Sequence, residues 1–233
     1  LKESRSGRDS IPVQAKPQSA FVRIMNDVLF GETWHNNNIH SRFRIGGLID
    51  PDHFGFNSVD GFRYGIDFNY FYDRGKGMTF NISPELGWNF ARKALNWQAS
   101  GLITYDHMRQ SRIVFWFGKG SRDFTNSAGI SPFINMATSL LLKDNYMRLY
   151  ESSYLTISQR SEYFNGFYLE LRYAYDDRRL LNNNTNFSFF RRDQDYLENV
   201  PVNNYLSSTG DADADFLLTN HVHHQFSTVI SYI

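Results

Sequence analysis

From Phe62 to Asp73 the chain alternates strictly at a period of two. Phe62, Tyr64, Ile66, Phe68, Tyr70 and Tyr72 share one parity; Arg63, Gly65, Asp67, Asn69, Phe71 and Asp73 share the other. Successive side chains of a strand point to opposite faces, so this segment reads as a strand between two unlike environments. The pattern then recurs. Phe80, Ile82, Leu86, Trp88 and Phe90 oppose Thr79, Asn81, Ser83, Glu85 and Asn89. Leu95, Trp97, Ala99, Gly101, Ile103 and Tyr105 oppose Asn96, Gln98, Ser100, Leu102, Thr104 and Asp106. Ile113, Phe115 and Phe117 continue it, with Arg112 on the polar parity. Phe167, Leu169, Leu171, Tyr173 and Tyr175 alternate with Tyr168, Glu170, Arg172, Ala174 and Asp176. Strands of this kind suit a sheet with hydrocarbon on one side and water on the other, the setting of an outer-membrane β-barrel.

Composition sharpens the point. Aromatic residues make up 17% of the 233 residues, yet mean hydropathy is -0.48. A soluble core does not combine these, whereas a barrel with polar half-strands and aromatic girdles does. Lys+Arg and Asp+Glu are both 24, so a general electrostatic affinity for nucleic acid is unsupported. There is no cysteine, hence no disulfide framework and no thiolate metal site. No apolar run approaches the roughly 18 residues of a membrane helix. Neither a signal peptide at Leu1 nor a turn after the alternating run at Ile233 is present, so both ends read as cuts in a longer protein.

The rest of the chain fits the same plan. Residues 1–18, with Pro12 and Pro17, read as a polar linker, and 19–233 as part of one barrel domain. Phe21 to Phe30 leaves strand and helix open. Ile39 to Leu48 alternates, and Asp50-Pro51-Asp52 begins a loop. Gly118 to Asp144 reads as a long connection. Within it Ser131-Pro132 marks a helix start, with Phe133, Ala137, Leu140 and Leu141 on one helix face. Tyr146 to Gln159 and Phe226 to Ile233 complete about eight antiparallel strands. Connections at 73–77, 107–111 and 160–166 are short. The alternate set, at 49–60, 91–94, 118–144 and 177–220, includes two very long ones. That is the asymmetry of outer-membrane barrels.

Three segments carry a family resemblance. Phe56-Asn57-Ser58-Val59-Asp60-Gly61-Phe62, Asn145-Tyr146-Met147-Arg148-Leu149-Tyr150-Glu151 and Asp176-Asp177-Arg178-Arg179-Leu180 occur in that order. Together they resemble segments of a family of Bacteroidota outer-membrane barrels that carry an N-terminal carboxypeptidase-like regulatory domain. That family is distantly similar to the BamA-type surface-antigen superfamily, whose members insert or translocate outer-membrane proteins. The resemblance implies a large barrel in the bacterial outer membrane. It transfers no functional residues, and the chain lacks an Arg-Gly-Phe lid-loop motif and a POTRA-like domain.

The expected fold is thus all-β: part of an antiparallel transmembrane barrel with long loops on one side and one short loop helix. Lipid would meet Phe62, Tyr64, Ile66, Phe68, Phe80, Ile82, Leu86, Trp88, Trp97, Ile103, Phe115, Leu169 and Leu171. The lumen would hold Arg63, Asp67, Asn69, Asn81, Glu85, Asn89, Gln98, Asp106, Arg112, Glu170 and Arg172, either as a charged channel or as an internal salt-bridge network. Pro84 sits mid-strand without an N–H, which implies a bulge or a weakened seam.

Candidate chemistry is sparse. His221 and His223 share a face and could chelate a metal, but spacing indicates no third ligand and an interfacial or loop cluster is the better account of them. Asp211, Asp213 and Asp215 could bind Ca²⁺ but lack the glycine and terminal glutamate of an EF-hand, so a solvated loop tip accounts for them. Asp106-His107 would serve a rim hydrolase only beside a nucleophile that spacing does not supply. No cofactor is expected. The expected partners are the outer-membrane bilayer and other envelope proteins. The leading expectation is a non-enzymatic barrel for transport or envelope biogenesis. The alternatives are a rim hydrolase and a passive barrel anchoring a periplasmic domain.

Overall fold

The computed structural model describes residues 20–50, 53–124, 130–200 and 220–232. The expected linker at 1–18 and the acidic residues Asp211, Asp213 and Asp215 lie outside them. The described chain is an antiparallel sheet of ten strands with two helices. Helix α1 (Ala20–Phe30) leads into β1 (Gly31–Asn36), β2 (Ser41–Gly46) and β3 (Phe54–Asn57). The long strands follow: β4 (Gly61–Gly75), β5 (Met78–Asn89), β6 (Ala94–Asp106) and β7 (Ser111–Asp123). Helix α2 (Pro132–Leu142) precedes β8 (Leu149–Phe164), β9 (Phe167–Leu180) and β10 (His221–Tyr232). Strand order is β1-β2-β4-β5-β6-β7-β8-β9-β10, every neighbour an antiparallel one, and β3 shares the free edge of β4 with β2.

Three strands depart from expectation, and one open reading is settled. The ambiguous stretch at Phe21–Phe30 is helical. Strands β1 and β3 add two to the expected eight; each has six residues or fewer, too short for alternation to stand out. Strand β7 runs on to Asp123, so the long connection starts at 124 rather than 118. Its last turn of sequence, Gly118-Lys119-Gly120-Ser121-Arg122-Asp123, has no apolar parity to read, and pairing with β8 holds it extended. Helix α2 starts where Ser131 and Pro132 mark it: the Ser131 hydroxyl accepts from the Ile134 amide at 3.3 Å. The sheet is not closed into a barrel. Among the described residues β1 and β10 pair with no strand on their outer edges.

Pro84 makes no bulge. The β5–β6 ladder runs straight through it, Pro84 facing Ala99. The β4–β5 ladder passes from Asp67–Glu85 to Tyr70–Ile82 in unchanged register, skipping the two pairs between. The missing proline N–H opens a gap rather than inserting a residue. Side chains span it, the Asn69 amide donating to Asn81 at 2.7 Å and to Ser83 at 2.8 Å.

Register sorts the two faces. Ile66, Leu86 and Trp97 sit side by side across β4, β5 and β6. Tyr72, Phe80, Ile103 and Ile113 form a second row, and Phe115, Ile157, Tyr173 and Phe226 a third. Opposite them run Asp67, Glu85 and Gln98, then Arg112, Arg160 and Glu170. No element covers the apolar rows, whose members are half-exposed or exposed: Ile157 is 43% and Phe226 80% exposed. The buried set is mostly polar, with Asp60, Asn89, Asn96, Asn135, Asn145 and Ser152 among its members. Connections 37–40, 76–77, 107–110 and 165–166 lie at one end of the strands; 47–53, 90–93, 124–148 and 181–220 lie at the other. All long connections are therefore at one end.

Candidate functional site

The buried polar side chains collect where the long connections fold back over the end of the sheet. The 58–60 turn is their centre. Asn57 Oδ1 accepts from the amides of Val59 and Asp60 at 2.9 and 2.7 Å, and Gly61 supplies the positive φ of +70° that sends the chain into β4. This leaves Asp60 pointing inward at 2% exposure. Its Oδ1 accepts from Asn89 and from the Ser121 hydroxyl, both at 2.8 Å, with Arg92 Nε 3.0 Å away. Arg92 also reaches Glu151 at 3.5 Å, and Glu151 holds Lys119 at 3.0 Å. Two carboxylates and two cations make a neutral cluster, the condition under which buried charges are tolerated.

A neutral network adjoins it. Ser58 accepts from the Asn145 amide at 2.6 Å and donates to Asn183 at 2.7 Å. Asn135 of α2 donates to Asn145 at 2.9 Å and accepts the amides of Tyr146 and Met147. Asn199 ties Leu149 to Leu181 through its side chain. Tyr196 donates its hydroxyl toward the carbonyls of Ser139 and Phe187, each 2.8 Å away. Burial pushes its phenol up to about 12. Burial likewise holds the Arg148 guanidinium below its ordinary value, against the raising influence of Asp123. On the third side, Ser152 donates to Asp176 at 2.5 Å and Arg178 reaches the same carboxylate at 2.7 Å, with its guanidinium over the Tyr150 ring.

The three segments quoted for the family resemblance thus meet in one place. Asp60 of the first is joined through Arg92 to Glu151 of the second. Asp176 and Arg178 of the third lie against Ser152 and Tyr150. The bridging residues Arg92, Asn135, Asn183 and Asn199 carried no periodic signal, because loop side chains are placed by tertiary contact. Below the cluster a cavity of about 250 Å³ opens on the polar face, lined by Arg63, Glu85, Gln98, Lys119, Arg122 and Tyr154. Arg63 binds Glu85 at 2.5 Å, Gln98 donates to Glu85 at 2.6 Å, and Tyr154 donates to Gln98 at 3.0 Å. Arg122 lies 3.6 Å from the Tyr154 ring centroid. Each lining charge has a partner: Arg63 and Glu85 pair with each other, Lys119 with Glu151, and Arg122 with the Tyr154 ring.

Other candidates are placed as follows. Asp106 Oδ1 accepts from the Met108 and Arg109 amides, so its carboxylate fixes the 107–110 turn and does not orient His107. His221 and His223 face Arg178 and Asp176 across the β9–β10 ladder; among the described residues no coordinating third donor joins them. His224, on the other face, packs with tilted rings against Tyr173 and Tyr175 and shares a hydrogen bond with the Tyr173 hydroxyl at 3.0 Å. No curated protein and no solved structure matches the chain. Residues 25–232 match the C-terminal domain of a family of unknown function, DUF5686, and with nearly its whole length covered the chain belongs to that family.

Proposed function

We propose that this domain is a section of the wall of a bacterial outer-membrane β-barrel that acts, without enzymatic chemistry, in transport or envelope biogenesis. One observation carries the reading: apolar rows run unbroken across one face of the sheet with no other element covering them, while the side chains buried at its loop end are mostly polar and bonded to one another. An exposed apolar face of this extent needs a cover, and hydrocarbon is the cover that fits every strand at once. Strand length agrees. Strands β4 to β10 have 12 to 16 residues; at about 3.3 Å each and a tilt of about 40° they rise roughly 30–40 Å, more than an apolar band of about 25 Å. Tyr64, Trp88 and Trp97 toward the long connections and Tyr72 toward the turns suit interfacial girdles. Among the described residues the outer edges of β1 and β10 carry no partner strand, and in lipid such edges must be paired. The resemblance to barrels with a carboxypeptidase-like domain and to BamA-type proteins belongs to the same reading.

The test is reconstitution of the full-length protein. A heat-sensitive, detergent-requiring β-structure that inserts into liposomes supports the wall; a soluble monomer overturns it. Planar-bilayer conductance then separates the roles. An open pore favours transport, and a silent barrel favours biogenesis or anchoring.

A further inference from the structure

Helix α2 is built inside out for a helix that meets water. It carries no charged residue. Its buried members are the polar ones: Asn135 and Ser139, one turn apart, are 1% and 0% exposed. Asn135 holds Asn145 and the amides of Tyr146 and Met147, and the Ser139 carbonyl receives the Tyr196 hydroxyl. Phe133, Ile134 and Leu141, with Leu142 beside them at the helix end, are all exposed. A helix on a water-covered surface turns its apolar side to the core and its polar side outward. In α2 the asparagine and the serine take the core side.

The exposed helix face does not stand alone. The Phe189 amide donates to the Leu140 carbonyl at 2.8 Å, which ties the 187–190 segment to α2. Phe189 meets Phe187 at 5.5 Å between ring centroids, Phe187 meets Phe62 at 5.8 Å, and Phe62 meets Phe56 at 4.8 Å. These are contact distances for aromatic rings. Phe62 shares its parity with Tyr64 and Ile66, so a chain of rings joins the apolar face of the sheet to α2. Phe187, Phe189 and Phe190 are themselves exposed. Arg191 ends the apolar run, and its guanidinium donates to the Leu142 carbonyl at 3.2 Å, at the C-terminal end of the helix.

This continuity argues for lipid as the cover. The polar interior is the wrong medium for bare phenylalanine and leucine side chains, since Arg63, Glu85 and Gln98 hold one another there. The patch begins at Phe62, one same-face step beyond Tyr64, which pairs with Trp88 in the ring girdle. It therefore sits at the level where hydrocarbon gives way to headgroups. Aromatic rings suit that boundary. A two-faced helix lies in its plane, with the apolar side sunk about 5–10 Å into the headgroup–acyl boundary.

We propose that α2 and the 187–190 segment form an in-plane membrane anchor at the long-connection end, holding the buried polar network just outside the bilayer. The anchor rests on the wall reading and goes beyond it, because a barrel wall needs only its strands in lipid. The full-length protein is reconstituted in liposomes as Phe133→Cys, Leu141→Cys or Phe190→Cys, each carrying a fluorophore on the new thiol. Ile157→Cys and Thr156→Cys are the references, and wild type is the labelling blank. The liposomes contain lipid brominated either near the headgroup or near the chain ends, which quenches on contact. Labels at 133, 141 and 190 should lose more fluorescence to the shallow quencher than to the deep one. The label at 157 should show the reverse order, and the label at 156 should be quenched by neither. Deep quenching at 157 with none at 133, 141 and 190 overturns the anchor while the wall stands, and the patch then meets water or a protein surface. No quenching at 157 or at the three sites removes wall and anchor together. Circular dichroism checks the sheet in each variant. The three sites are exposed and report separately, so one variant that fails to fold leaves the test intact.

Discussion

Tyr196 fastens the 181–200 segment to α2 through one hydroxyl, which two carbonyls share. Removing it in Tyr196→Phe takes this donor from the Phe187 carbonyl and leaves the Ser139 carbonyl with the Lys143 amide. The expected cost is about 1–3 kcal/mol of local stability, read as faster hydrogen exchange at the Lys143 amide, which donates to the same Ser139 carbonyl. The phenol also makes the cap sensitive to alkali. Its folded value of about 12 stands above the unfolded value of about 10. The unfolded state therefore loses the proton first, and the stabilisation is complete below about pH 10 and is lost as pH rises toward 12. An ultraviolet phenolate titration should show one fewer late-titrating tyrosine in Tyr196→Phe than in the wild type. Asp60 is the other critical residue. Asp60→Asn leaves Arg92 with its bond to Asn96 and one carboxylate, the more distant Glu151, and unbalances the buried cluster. A loss of about 3–5 kcal/mol is expected, measured by the denaturant midpoint and by proteolysis of the 58–60 turn.

At the scale of the element, strands with two unlike faces were legible and short or charged ones were not. Alternation marked β4, β5, β6 and β9 because each has a continuous apolar parity. It failed for β1 and β3, which are too brief, and for the end of β7, where glycine and charged residues alternate and the neighbouring strand decides the conformation. The loop helix was legible from Ser131 and Pro132, a local signal. The site was legible only in its strand residues: Arg63, Glu85, Gln98 and Asn89 stood out by parity. Arg92 and Asn135 did not, since turn geometry and distant partners place them. Pro84 shows how a local rule meets its context. Its missing N–H costs the β4–β5 ladder two pairs, and Asn69 repairs the seam on the polar face. Pro84→Val should restore the ladder and contribute about 0.5–1.5 kcal/mol, seen as slower amide exchange around Phe68 to Tyr70. Asn69→Leu should act in the opposite direction. Unchanged exchange in both variants would mean that the gap is not a weak seam.

For the whole molecule, the question is what covers the apolar face, and adjacent residues can decide it. Ile157 and Thr156 are neighbours near the middle of β8. Register places Ile157 beside Phe115 and Tyr173, and Thr156 beside Trp116 and Ala174 on the opposite face. Ile157 is 43% exposed in the isolated sheet. If water covered that face, Ile157→Arg would be nearly neutral, because a half-exposed side chain can turn its charge outward. If hydrocarbon covers it, arginine near the midplane costs about 2–4 kcal/mol. Thr156→Arg introduces the same charge one residue away, toward the polar interior, and should cost no more than about 0.5 kcal/mol. Folding into liposomes from urea, measured for both variants, therefore reads the medium on each face directly. A large penalty for Ile157→Arg with none for Thr156→Arg is the expected result. Equal, small effects would show that the exposed rows meet water or a protein partner instead, and the wall reading would fall with them.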